Sequence, residues 1–410
     1  MELVPLLAVR DDVATPDSGP PSPTLASQFA AGTQTSSDLS KLVKGNNNFA
    51  FNFYHAVGSQ DGNVVYSPLS LSHALAMAYA GARGETAIQI ARALEFDLPV
   101  ERIHPAFARL FQKLAESPGT LYITDSLWSQ EGLVLLPDFL SLLERNYGAD
   151  LRSADFAKGP ESARQEVNEW VRQKTDGKIL DLLKPGAVNE QTRMVLVSAV
   201  YFKAIWQHSF SPELTQEGTF TRQDGRHVRK PMMTLPEPIN LDYYQGSDYQ
   251  AVALPYADGI TSLVVIIPES GSFSEFERNL GADELAAILA ALSPHSVRIT
   301  LPKFTFKSEL DLEKTLPSLG LTDAFRPGAA DFSGMTGWRD FVLGQARQKV
   351  YISADEAGTE AAAATALGVD WISYRPSEIR LIVNHPFIFA ILDRSTGSLL
   401  FLGRVVDPTE

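Results

Sequence analysis

Strand-forming sequence is crowded into the second half of this 410-residue chain. The runs "RMVLVSAVYFKAIW", "ITSLVVIIP", "VRITLPKFTF", "RQKVYISADE", "IRLIVNHPFIFAILD" and "SLLFLGRVV" are β-branched and aromatic, and turn residues bound each one. Helical sequence comes before them. "YSPLSLSHALAMAYAGARGET" sets Ser67 as N-cap and Pro68 at the first helical position, ahead of a small, apolar helix whose lack of a polar face demands burial. "NNNFAFNFYHAV", from Asn46, reads as a capped amphipathic helix. Further helices are expected at about 84–95, 101–116 and 161–175, the last closed by Gly177. Helices first and strands later argue for an α+β fold rather than alternating βαβ units.

With 44% hydrophobic and 20% charged residues the chain can bury a large core, and its length admits several domains or one large mixed fold. A formal charge of −14 with no basic run argues against a nucleic-acid partner. There is no cysteine, which excludes disulfides, thiolate nucleophiles and cysteine-based zinc sites. No run approaches the roughly 18 apolar residues of a membrane span, and residues 263–267, ended by Pro268, read as a buried strand. Residues 1–40, with "ATPDSGPPSPTLAS", carry too little apolar periodicity to pack and are expected to be a disordered extension, leaving 41–410 as the folded unit. Residues 3–9 are apolar but follow Glu2 rather than a basic region, so no signal peptide is evident.

Catalytic patterns are scarce. The chain has no G-x-S-x-G elbow, no H-E-x-x-H, no G-x-G-x-x-G and no full P-loop, and "GARGET" lacks the lysine that would reach phosphates. The seven histidines include no pair at the helical spacing that would put two metal ligands on one face, and His73 on its apolar helix reads as hydrogen-bonded core. The chain is therefore read as a non-enzyme that needs no metal or cofactor.

"DEAGTEAAAATALGVDWISYRP" (355–376) has divided preferences. Its alanines favour helix, but Gly358 and Gly368 interrupt them and residues 370–376 have no helical period. Taken by twos, Thr359, Ala361, Ala363, Thr365, Leu367 and Val369 are all small or apolar. The alternate set, Glu360, Ala362, Ala364, Ala366, Gly368 and Asp370, carries both charges. That alternation, with no proline between 356 and 375, suits a strand with one buried face.

Five motifs in order resemble the serpin family over residues 45–408: "NVVYSPLSLSHALAMAYAGARGET", "VSAVYFKAIWQHSF", "DEAGTEAAAATA", "LIVNHPFIFAILD" and "FLGRVVDP". The resemblance, to a prokaryotic-type inhibitory member, implies a single domain with many helices, a large five-stranded sheet, two further sheets and an exposed reactive loop at about 356–376. It implies that a serine protease attacks the loop and forms an acyl-enzyme, after which the freed loop inserts as a strand in the large sheet. By family spacing the scissile bond is Ile372-Ser373, to within one or two residues. An isoleucine there suits an elastase-like or subtilisin-like protease, and a shift to Trp371 or Tyr374 a chymotrypsin-like one, as a covalent complex with a monomeric inhibitor.

The same resemblance makes Glu356, Gly358, Thr359, Glu360, Ala361, Ala362, Ala363 and Ala364 the loop hinge. Gly358 would permit its turn and Thr359 would enter the sheet first. Glu356 and Lys303 would form an exposed salt bridge near Trp206. Ser67, Ser70, Ser198 and Gln348 would form a hydrogen-bonded cluster below the sheet opening, with Ser198 and Gln348 standing where the family often has asparagine and histidine. An extracellular or periplasmic location follows only from the resemblance. The alternative is a non-inhibitory, chaperone-like binding protein of the same fold, but such members usually carry bulky, charged or proline residues in the hinge.

Overall fold

The computed structural model describes residues 36–57, 62–116, 121–148, 151–339, 341–359 and 378–409. Six helices fill the first half: α1 (Ser36–Val57), α2 (Pro68–Gly81), α3 (Gly84–Ala93), α4 (Val100–Leu114), α5 (Pro137–Tyr147) and α6 (Pro160–Lys174). α2 is capped by the Ser67 side chain, has Pro68 in its first turn, and buries every one of its residues, as its lack of a polar face requires. α6 ends as expected: Gly177, in a left-handed conformation, donates its N–H to the Arg172 carbonyl at 2.8 Å.

α1 differs from the reading. It starts at Ser36, ten residues before Asn46 and inside the stretch read as extension. Asp38 holds the start in place: it is buried and paired with Arg102 of α4. Residues 1–35 of the expected extension lie outside the described residues.

Among the described residues the large sheet has seven strands: β2 (Leu121–Gln130), β3 (Leu151–Ala154), β4 (Met194–Phe202), β5 (Ala204–Ile205), β12 (Phe304–Asp311), β13 (Gln345–Ala354) and β14 (Gly358–Thr359). Five of these form its body in the order β3-β2-β4-β13-β12, with β14 and β5 added at one end. Ten strands form the second sheet: β1 (Val64–Tyr66), β6 (Ser211–Thr221), β7 (His227–Thr234), β8 (Ile239–Gln245), β9 (Tyr249–Pro255), β10 (Thr261–Pro268), β11 (Ser293–Pro302), β15 (Ile379–Ile382), β16 (Phe387–Asp393) and β17 (Ser398–Val405). The two further sheets implied by the resemblance are thus hydrogen-bonded into one, because β11 pairs with β8 through its first half and with β7 through its last three residues.

Alternation divides the large sheet between two cores. On β4, Leu196 and Val200 face the main core with α2, whereas Val195, Val197 and Ala199 face a smaller cluster closed by Val167, Trp170 and Val171 of α6. The sheet is therefore covered on both faces where β4 meets β13. Val264 and Val265 of β10 and Phe389 and Ile391 of β16 are at most 1% exposed, and each buried aliphatic or aromatic side chain of this kind contributes about 1.5–3 kcal/mol.

Candidate functional site

β4 and β13 run parallel, paired from Gln345↔Val195 to Tyr351↔Tyr201. Beyond Tyr351 they diverge, and a different segment fills the space. β13 ends in a tight turn in which Asp355 N–H donates to the Gly358 carbonyl at 2.9 Å, while the Asp355 carboxylate accepts from the N–H groups of Ala357 and Gly358. The chain then returns as β14, which pairs antiparallel with Ala354 on one side and with Ala204 and Ile205 of β5 on the other. The hinge is thus already wedged into the top of the β4–β13 seam. β14 runs antiparallel to both neighbours.

Side-chain contacts also hold the hinge. Thr359 is 1% exposed and its hydroxyl shares a 2.7 Å hydrogen bond with the Tyr256 hydroxyl. The Tyr256 ring stacks on Trp206 at 4.6 Å, and Trp206 Nε1 donates to the Asp355 carbonyl at 2.8 Å. Lys303 Nζ reaches Glu356 Oε2 at 2.6 Å, and Thr215 donates to Glu356 Oε1 at 2.8 Å. Burial raises the Glu356 carboxyl, but the bonds from Lys303, the backbone and Thr215 outweigh it and hold the group below the usual carboxylate range.

Three expectations change. The Lys303–Glu356 pair is partly buried, because Thr215 and β13 enclose the carboxylate. Gly358 does not turn the chain through a left-handed conformation; it is glycine because a Cβ would lie 2.1 Å from the Ala204 carbonyl oxygen. Thr359 is already in the sheet, paired with Ala354 on one side and Ala204 on the other. Ile372, Ser373 and the hinge residues Glu360, Ala361, Ala362, Ala363 and Ala364 lie outside the described residues.

Below the hinge the structure gathers Ser67, Ser70, Ser198 and Gln348 under the seam. Gln348 Oε1 accepts from Ser67 N–H at 3.1 Å, and its Nε2 donates to the Ser67 carbonyl at 3.0 Å and to Ser198 Oγ at 3.1 Å. Ser198 and Ser70 hydroxyls are 2.7 Å apart. Two members escaped the sequence reading: Asp125 of β2, which accepts from Ser70 at 2.6 Å, and His73 of α2, whose Nδ1 lies 2.9 Å from Asp125 Oδ2. His73 is indeed hydrogen-bonded core, with its ring stacked on Phe111 at 3.9 Å. Ser198 and Gln348 are opposite each other in the parallel ladder, so this cluster bonds across the β4–β13 seam. On the outer face, Lys349 ties β13 to Asp181 at 2.7 Å.

The large sheet thus combines a parallel seam, a two-residue strand lodged at the top of that seam and a polar cluster beneath it. The family is identified directly: residues 44–408 match the family model described as serpin, serine protease inhibitor, and the chain belongs to that family. It is 36% identical over 384 residues to the leukocyte elastase inhibitor of Equus caballus, covering 90% of this chain and 100% of the relative. It is 34% identical to a serpin-like protein of Thermococcus kodakarensis, covering 90% of this chain and 86% of the relative. Among solved structures, it is similar to Serpin48 of Tenebrio molitor, with 30% identity, a TM-score of 0.81, and coverage of 92% of this chain and 100% of that one. Maspin is similar too, at 25% identity and a TM-score of 0.82, covering 91% and 100%.

Proposed function

We propose that the protein is a suicide-substrate inhibitor of serine proteases, in which cleavage at Ile372-Ser373 frees the loop to insert between β4 and β13 while it remains acylated to the protease. The observation that carries this reading is β14. Its two residues already occupy the slot in the direction a longer strand would take. Thr359 points into the core, so Ala361, Ala363, Thr365, Leu367 and Val369 follow it onto the buried face, and all are small or apolar. Glu360 and Asp370 fall on the other face. Insertion replaces one parallel ladder by two antiparallel ones. About a dozen net backbone hydrogen bonds at roughly 0.5–1.5 kcal/mol each would supply on the order of 10 kcal/mol, enough to hold the protease irreversibly. Elastase-like, subtilisin-like and chymotrypsin-like proteases are the expected partners. The relatives named as leukocyte elastase inhibitors favour the first of these.

The test is incubation with elastase, subtilisin, chymotrypsin and trypsin, followed by denaturing gels and mass spectrometry of the released fragment. A covalent complex and a fragment beginning at Ser373 are expected. Trypsin should cut poorly at Arg375, because Pro376 follows it. Thr359→Arg drives a charge into the site beside Tyr256 and should convert the inhibitor into a cleaved substrate. Clean cleavage by every protease without a complex would remove the inhibitor reading and leave a non-inhibitory binding role.

A further inference from the structure

The second sheet carries a cleft that strand insertion does not use. We propose that this cleft, between the β8–β9 turn and the two helices that follow β10, binds a small apolar amine, with the apolar body on an aromatic and aliphatic floor and the ammonium among carboxylates at the rim. The inference is independent of the inhibitor reading, since no residue lining the cleft belongs to the large sheet or to the hinge.

The walls follow from local sequence. Pro268 ends β10, and Gly271, in a left-handed conformation, turns the chain toward α7 (Phe273–Asn279), which α8 (Ala282–Ala291) follows. The Glu269 N–H donates to the Asp248 carbonyl at 2.8 Å and ties this connection to the β8–β9 turn. Phe273, Leu280, Leu285 and Ile288 anchor both helices in the core, each at most 5% exposed. Phe276 is only partly buried, and it packs on Tyr249, the first residue of β9, with ring centroids 5.2 Å apart. Tyr244 continues the row, 5.9 Å from Tyr249. Gly246 makes room for it: a Cβ there would lie 2.6 Å from the Tyr249 ring.

Between these elements lies a cavity of about 450 Å³, with Tyr249, Phe276, Leu280 and Ile288 among its walls. That is the size and lining of a small-molecule pocket. Ala287, exposed on α8, presents too small a side chain to fill it.

Charge selects the occupant. Asp248, Glu275 and Glu284 also line the cleft, all three exposed, and no lysine or arginine lines it. None of the three pairs with a cation among the described residues. Asp248 accepts from the Ser247 hydroxyl at 3.0 Å. Glu284 folds back toward the start of its own helix, with Oε2 2.7 Å from where a Gly281 Cβ would stand, so the helix dipole meets part of its charge. No group of three or more ligating side chains among the described residues could hold a metal ion, which points to an organic cation instead. An ammonium gains from the carboxylates and from the faces of Tyr249 and Phe276, while its apolar body covers the floor. The formal charge of −14 favours the same sign of ligand. The order of polarity with depth decides between a free amine and a basic side chain of a partner protein. A lysine would enter with its cation first, toward the buried Leu280 and Ile288, whereas a free amine seats its apolar body below and leaves the cation at the acidic rim.

The experiment is isothermal titration calorimetry of the full-length protein with phenylbutylamine, phenylbutanol and phenylbutyrate, which share one body and differ in charge. Saturable binding is expected for the amine, weaker binding for the alcohol, and for the carboxylate binding at least about tenfold below the amine. Glu275→Gln should weaken the amine about three- to fivefold, and Glu275→Gln with Asp248→Asn about tenfold in total, with the alcohol unchanged in both. Ala287→Trp fills the cleft from an exposed helix position and should abolish binding of all three. Should that variant not fold, Glu275→Lys on the surface of α7 tests the location in its place, by a loss of about tenfold or more for the amine. No saturable amine binding up to about 10 mM, or amine binding that Ala287→Trp or Glu275→Lys leaves intact, overturns the proposal. Equal affinity for amine and carboxylate overturns it as well, because the cleft would then be apolar without a choice of charge. Tighter binding of the peptide acetyl-Ala-Lys-Ala-amide than of the amine would assign the cleft to a protein partner and overturn the small-molecule assignment.

Discussion

Thr359→Val tests whether the hinge is docked by a specific bond or only by the shape of the slot. Valine keeps the β-branched volume and the strand preference while deleting the hydroxyl. It leaves the Tyr256 O–H, fully buried against Trp206, without its 2.7 Å partner. A buried hydroxyl stripped of its bond costs about 1–3 kcal/mol, which weakens docking by roughly 5- to 150-fold. Tyr256→Phe should cost a similar amount by stranding Thr359. Removing both groups leaves nothing unsatisfied, so the double variant should lose clearly less than the sum of the two. The assay is a double-mutant cycle on urea unfolding, read beside the stoichiometry of protease inhibition. A coupling of about 1 kcal/mol or more is expected, with more inhibitor consumed as substrate in both single variants. Additive costs within about 0.3 kcal/mol would mean that the two hydroxyls do not meet in solution, and the docked hinge would lose its physical basis.

Glu356 is held below its ordinary titration range, so its contribution to hinge docking is present above about pH 4 and is lost as pH falls through the lowered value. Glu356→Gln should remove that acid dependence and cost about 1 kcal/mol at neutral pH, as partial exposure of Lys303 screens the pair; limited proteolysis of the hinge against pH reads both effects. Gly358→Ala forces a Cβ into the Ala204 carbonyl and should expel β14, at about 1–3 kcal/mol, detected as loss of amide protection at Gly358 and Thr359; retained protection would contradict the close approach. His104 is kept neutral with its titration near 4, so folding loses stability as pH falls from about 6.5 to that value, by roughly 3 kcal/mol in total. His104→Asn should flatten the slope of urea stability over that interval, and an unchanged slope would place the acid sensitivity elsewhere.

What could be read from the chain depended on how local each cause was. Ser67, Pro68 and a small, mostly apolar sequence without a polar face fix α2 through contacts within one helix, and the runs at 261–268 and 387–393 are legible because burial on both faces writes itself as continuous hydrophobicity. α5, by contrast, has only Phe139, Leu143 and Tyr147 buried in eleven residues, a pattern too thin to stand out. The early start of α1 depends on Arg102, 64 residues away from the Asp38 it pairs with. The resemblance located Ser67, Ser70, Ser198 and Gln348, but Asp125 and His73 joined them unannounced, because a lone acid in a strand and a lone histidine in a helix carry no spacing that links them. Gly358 shows the reverse error: the residue was noticed and its reason misread, since only the packed backbone of β5 reveals that the constraint is space rather than dihedral angle.

The parallel pairing of β4 with β13 has a consequence for the protein in company. Parting these strands exposes two facing rows of unpaired backbone groups, and such rows accept any extended segment of suitable direction, whichever molecule supplies it. A segment donated by a second copy would leave that donor's own slot vacant for a third. The contact is heterologous, joining unlike surfaces, and nothing in it closes a ring, so growth would proceed as an open filament. Conditions that loosen the seam would therefore favour filament growth over single molecules as concentration rises.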